Sequence, residues 1–101
     1  MAHTADDGPE VRVALAHLLA ERIGGADALA VRGATVGAAL RDLAARYPAL
    51  APWLWREGRF NDQLVVFLNK DDVRRLQGLE SPLQAGDTLT VVTALEGGAR
   101  P

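Results

Sequence analysis

A two-layer α+β domain, with one main helix laid over a small sheet, is the fold that three observations in this sequence predict. Residues 11–15 and 88–94 alternate in hydropathy at period two, as half-buried strands do. Residues 35–47 place apolar side chains along one helical face and stop at Pro48. Residues 64–68 form a five-residue apolar run, short enough for a strand, followed by the turn-forming stretch Asn69-Lys70-Asp71-Asp72. A helix with an apolar stripe must bury it, and the strands supply the covering surface.

Residues 2–9 show no periodicity and end in Gly8-Pro9, so residues 1–10 are expected to be a flexible arm ahead of a domain spanning 11–95. In the first strand Val11, Val13 and Leu15 point inward. Residues 17–23 form a loop or a helical turn that Gly24-Gly25 stops, and His17 there reads as a solvated histidine. A second short strand, residues 28–31, turns Leu29 and Val31 inward and pairs with the first as a hairpin with a long connection.

Thr35 is a good helix N-cap, and Val36, Leu40, Leu43 and Tyr47 share one face. Arg41 and Asp42 fall on the other side, and Arg46 suits the dipole of the last turn. After Pro48, Leu50, Trp53 and Leu54 are expected to form an irregular turn covering the core, with Trp55 left open. Residues 73–79 hold a single helical turn, Arg74 and Arg75 read as a solvated pair, and Asp71 and Asp72 shape the turn before them. In the last strand Leu89 and Val91 share one face and Val92 and Ala94 the other. A helix on one side leaves the opposite sheet face open to solvent or a partner, with Val65, Phe67 and Val92 on it.

Composition excludes several function classes. A chain of 101 residues holds one domain, burying roughly two thirds of its unfolded surface. Lys and Arg number 11 against 13 Asp and Glu, a net charge of −2, without the basic surplus of a nucleic-acid binder. Zero cysteines exclude disulfides and thiolate chemistry, and two histidines are too few for a multi-histidine metal centre. No apolar run approaches the ~20 residues of a membrane span. The polar, acidic first ten residues differ from a secretory signal, so a cytoplasmic location is expected.

The end of the chain carries the functional signal. Pro82-Leu83-Gln84-Ala85-Gly86-Asp87 is a turn that aims the last strand, and Leu95-Glu96-Gly97-Gly98 follows that strand directly. Glycine lacks a Cβ, so its backbone approaches a phosphate or nucleophile closely. Residues 96–98, extended, reach about 10 Å past the strand at ~3.3–3.6 Å per residue, enough to thread a narrow channel.

These segments together resemble the small sulfur-carrier proteins of the MoaD/ThiS type, which have the ubiquitin-like β-grasp fold. The resemblance rests on Gly33-Ala34-Thr35-Val36 opening the helix, Arg46-Tyr47-Pro48 closing it, Val66-Phe67-Leu68-Asn69 in the third strand, the Pro82 to Leu89 segment and Gly97-Gly98, and it covers residues 11–98. It implies a mixed sheet of four or five strands and chemistry done to this protein, not by it. In such carriers an E1-like adenylating enzyme uses ATP to activate the C-terminal glycine carboxylate. A sulfur donor then displaces AMP, and the thiocarboxylate hands sulfur to an accepting biosynthetic enzyme.

On that resemblance Gly98 is the reacting residue, Leu95, Glu96 and Gly97 form its tail, and Val92, Ala94 and Phe67 belong to the partner-binding face. No bound cofactor, membrane or nucleic acid is implied. Ala99-Arg100-Pro101 follow Gly98, so the bond between Gly98 and Ala99 is the expected processing site of a tail-trimming protease, and residues 96–101 a flexible tail with a removable extension. Gly98 would serve a ubiquitin-like modifier, conjugated to target lysines, as well as a carrier. A third reading is an interaction module with an inert tail. A thiocarboxylate marks the first and higher-mass covalent adducts the second.

Overall fold

The computed structural model describes residues 8–26 and 28–93. Strand β1 (Glu10–Leu15) leads into helix α1 (His17–Ala20) and a 3-10 turn, then strand β2 (Ala28–Arg32) and the main helix α2 (Val36–Arg46). A 3-10 turn and the short helix α3 (Ala51–Leu54) precede a small hairpin, β3 (Trp55–Arg56) and β4 (Arg59–Phe60). Then come β5 (Leu64–Leu68), β6 (Asp71–Asp72), two 3-10 turns and β7 (Thr88–Thr93).

The main sheet has the order β2-β1-β7-β5-β6. Its two central strands, β1 and β7, run parallel, and the other neighbouring pairs are antiparallel. The sheet is therefore mixed and five-stranded, with β7 at its centre although it comes last in the chain.

Helix α2 lies across one face. Thr35 caps it as expected, its Oγ1 accepting from the Ala38 N–H at 3.2 Å. Val36, Leu40 and Leu43 are fully buried against Val11, Val13, Leu89 and Val91. Every residue assigned inward in β1, β2 and β7 is buried. Gly33 is needed for space, because a Cβ there would stand 2.3 Å from the Ala39 nitrogen. Strand β2 thus passes against the first turn of α2 at a distance only glycine permits.

The segment after Pro48 corrects one expectation. Leu50 and Leu54 are buried, but Trp53 is 41% exposed and does not cover the core. The reason is periodicity: Leu50 and Leu54, four apart, take the inward side of this turn, which leaves Trp53 pointing out. There the Arg22 guanidinium stacks on its ring at 4.4 Å. Trp55, in β3, is the tryptophan that packs inward. Its Nε1 donates to the Leu40 carbonyl at 3.3 Å, and its ring meets Phe60 edge to face at 5.3 Å.

Two further differences are smaller. In place of one helical turn over residues 73–79 there are two 3-10 turns, Val73–Arg75 and Gly78–Glu80, and Asp71 and Asp72 pair with Leu68 and Phe67 as β6 instead of lying wholly in the turn. His17 is solvated, as expected, and contacts Glu21 at 2.8 Å across one helical turn.

Candidate functional site

Strand β7 reaches the site by being clamped at its start. The Asp87 carboxylate accepts from the Gln84 N–H at 2.8 Å, and Gly86 takes φ of 90°, the left-handed conformation that closes the turn. Arg12 N–H donates to the Asp87 carbonyl at 2.9 Å, which sets the parallel register of β1 on β7. From the other side Asn69, at φ of 57°, ties β5 to β7. Its side-chain oxygen accepts from Thr88 N–H at 3.0 Å, and its Nδ2 donates to Asp87 at 3.2 Å.

The segment before this turn is held to the start of α2. Val36 N–H donates to the Ser81 carbonyl at 3.0 Å, and Leu83 N–H donates to the Ala34 carbonyl at 3.0 Å. Buried Ser81 uses its hydroxyl oxygen to accept from Gln77 N–H at 3.0 Å. The start of β7 is thus held by two β-strands, and the segment before it by a helix N-terminus. Asn69 was legible as a turn residue, but its bridge to Asp87 was not, because the two are eighteen positions apart.

On the side away from α2, cross-strand pairs set a row running Ala28, Ala14, Thr90, Phe67 and Asp72 across all five strands. Val92 stands opposite Val65, one step nearer the end of β7, and Thr93 stands opposite Leu64. Val65, Phe67 and Val92 on this side are half-buried, unlike Leu89 and Val91 on the other. The expected open face exists, and both Phe67 and Val92 lie on it. Leu64 and Val66 alternate to the buried side with Val91.

The remaining site residues, Ala94, Leu95, Glu96, Gly97, Gly98 and Ala99, lie outside the described residues. Thr93 precedes Gly97-Gly98 by four positions. At the far edge, the Arg74 guanidinium bonds Asp72 at 2.6 Å and holds that carboxyl below its ordinary range, while Asp72 also accepts from the Arg74 N–H at 2.9 Å. Among the described residues no three His, Cys, Asp or Glu side chains gather into a metal site, and no helix is long and apolar enough to cross a membrane.

Residues 13–98 match the model of the ThiS family. The chain belongs to the ThiS family. The sulfur carrier protein CysO of Mycobacterium tuberculosis is 30% identical over 91 residues, which cover 87% of this chain and 98% of that protein. In structure, small archaeal modifier protein 1 from Methanosarcina acetivorans superposes with a TM-score of 0.79 at 28% identity, over 89% of this chain and 97% of that one. A chain of the Amycolatopsis orientalis BexX/CysO complex superposes with a TM-score of 0.74 at 31% identity, over 82% and 93%. The ubiquitin-like β-grasp architecture read from the sequence is that of these relatives, which are small carrier and modifier proteins.

Proposed function

We propose that this ThiS-family protein is a sulfur carrier whose Gly98 carboxylate is adenylated and then converted to a thiocarboxylate. The observation that carries the reading is the placement of β7. It is the central strand, pinned at its start from both sides, and it ends four residues before Gly97-Gly98 beside a half-exposed apolar face. The likeness to CysO supports sulfur as the cargo.

A carboxylate is a poor electrophile, so sulfur attack requires an activated anhydride. The E1-like enzyme supplies it by joining the Gly98 carboxylate to the α-phosphate of ATP, with pyrophosphate leaving. A sulfur nucleophile attacks the acyl carbon and AMP departs. The acceptor enzyme then takes the sulfur, and water restores the carboxylate. In this account the domain docks and presents, the two enzymes provide catalysis, and a protease first cleaves between Gly98 and Ala99. Val92, Phe67 and Ala94 contact the adenylating enzyme, Leu95 and Glu96 line its channel, and the work takes place in the cytoplasm.

ATP–pyrophosphate exchange tests the first step. The chain ending at Gly98 should support exchange by the cognate enzyme, and Gly98→Val should abolish it. The chain with residues 99–101 attached should be inert until protease is added. Exchange by that longer chain without cleavage would overturn the processing step.

The likeness to a small archaeal modifier favours a second reading, conjugation of Gly98 to lysines of target proteins. It predicts ATP-dependent adducts of higher mass, which the carrier reading does not.

A further inference from the structure

The hairpin β3–β4 separates its anchoring residues from its charges. Trp55 and Phe60 stand opposite each other and pack against the core, as described above. The next cross-strand pair is Arg56 and Arg59, both exposed on the reverse side. Like charges directly opposite one another destabilise an antiparallel pair. The anchors suffice to seat this hairpin, so folding gives no reason for two arginines at these positions.

The hairpin beneath them is tied down by its turn and its base. Glu57 and Gly58 take φ of 52° and 81°, the two-residue turn with both positions left-handed that matches strand twist. At the base, Asn61 N–H donates to the Leu54 carbonyl and Asn61 Nδ2 to the Trp53 carbonyl, both at 2.8 Å. Arg41 stacks on Trp55 at 4.2 Å and adds a third cation nearby. Glu57 in the turn and Asp62 beyond the hairpin are the neighbouring carboxylates. Among the described residues neither Arg56 nor Arg59 forms an ion pair with them or with any other acid.

Position relates this pair to the tail. Arg59 precedes Leu64 by five residues, so their Cα atoms lie within about 18 Å at ~3.3–3.6 Å per residue. Leu64 stands opposite Thr93. Gly98 follows Thr93 by five residues and has the same maximum reach, about 18 Å. The root of the tail and the hairpin thus share the end of the sheet where Leu64 and Thr93 stand, the end that an enzyme taking Gly98 approaches.

We propose that Arg56 and Arg59 are a docking clamp for carboxylates at the mouth of the adenylating enzyme's tail channel. The proposal rests on the carrier reading above and adds the chemistry of the partner's rim. A guanidinium grips a carboxylate with two parallel hydrogen bonds, fixing orientation as well as attraction. At this spot Arg41, Arg56 and Arg59 outnumber the neighbouring Glu57 and Asp62, a local positive surplus that draws an acidic rim. The clamp sets the approach, and the apolar face around Val92 completes the contact.

The test uses the chain ending at Gly98, its cognate adenylating enzyme and ATP–pyrophosphate exchange at low and high salt. The double variant Arg56→Glu with Arg59→Glu should raise the KM for the carrier about tenfold or more at low salt, with kcat unchanged at saturation. High salt should shrink that difference. Arg56→Gln with Arg59→Gln should show the same trend more weakly, and Arg56→Lys with Arg59→Lys should recover only part of the loss, since lysine supplies the charge without the two parallel hydrogen bonds. Equal kcat/KM for wild type and both charge-removing variants, or a loss indifferent to salt, would overturn the clamp. So would binding of the wild type, but not the variants, to an RNA or DNA oligonucleotide, which would assign the pair to phosphates. Failure of the wild type itself to support exchange is a different result: it removes the carrier reading, and the clamp with it.

Discussion

The two faces of strand β7 are built from alternate residues of one short segment, yet they serve different ends. Leu89 and Val91 point toward α2 and are wholly buried among Val36, Leu40 and Leu43. Thr90 and Val92, between and beside them, face the open side with Val65 and Phe67 and remain half-exposed. The first face is closed by this chain alone, so its side chains are spent on stability. The second keeps apolar surface half-exposed among the described residues, so its side chains are available to meet another protein. A ubiquitin-like carrier needs both: a fixed frame and a face that stays available beside the tail.

The sharpest way to break this division is on the closed side. Leu40→Ala removes a fully buried side chain at the centre of the helix–sheet contact and should cost about 2–5 kcal/mol, read from denaturant melts. A variant with wild-type melting would show that α2 does not carry the core. Gly33→Ala tests the close approach of β2 to α2, where the added Cβ would overlap the Ala39 backbone. Overpacking of that kind costs about 1–3 kcal/mol. A stability equal to wild type would mean that the two elements are not packed at this distance.

On the open side the same experiment should give the opposite pattern. Val92→Asp should change stability by less than about 1 kcal/mol, since Val92 is only half-buried and partnered by Val65. Adenylation should nevertheless fall, because apolar anchors near the centre of an interface dominate binding. Wild-type rates for Val92→Asp would place the docking face elsewhere.

The smallest effect belongs to Asp72, at the sheet edge. Arg74 lowers its pKa from the ordinary value of 3.8, so its ion pair stabilises above that value and is lost as pH falls through the lowered one. Asp72→Asn should melt slightly below wild type at neutral pH, and the two should converge only in acid below pH 3.8. A difference that persists in acid would assign the loss to the turn it caps rather than to its charge.

The closed face was legible because its signals are local. Period-two alternation in β1 and β7, helical spacing from Val36 to Tyr47, the Thr35 cap and the Pro48 stop each follow from neighbouring residues alone. The open face was legible by elimination, as the side the helix leaves bare. What the sequence concealed depends on longer range. The hairpin β3–β4 is two residues on each side, too short for alternation to register. Trp53 and Trp55 are two apart, and which one packs inward is decided by where α3 ends and β3 begins. The Asn69–Asp87 bridge joins two turns that only the sheet register brings together. That Arg56 and Arg59 have no ion pair among the described residues likewise appears only when the hairpin is seen against its surroundings.

The division between a face that folds and a face with a tail that works predicts chemistry at one atom. Intact-mass spectrometry of the chain ending at Gly98, after incubation with its adenylating enzyme, ATP and sulfide, reads that atom directly. The account predicts an oxygen-to-sulfur mass shift located at Gly98, absent without ATP and absent in Gly98→Val. No shift in the presence of an enzyme that adenylates Gly98 would contradict it.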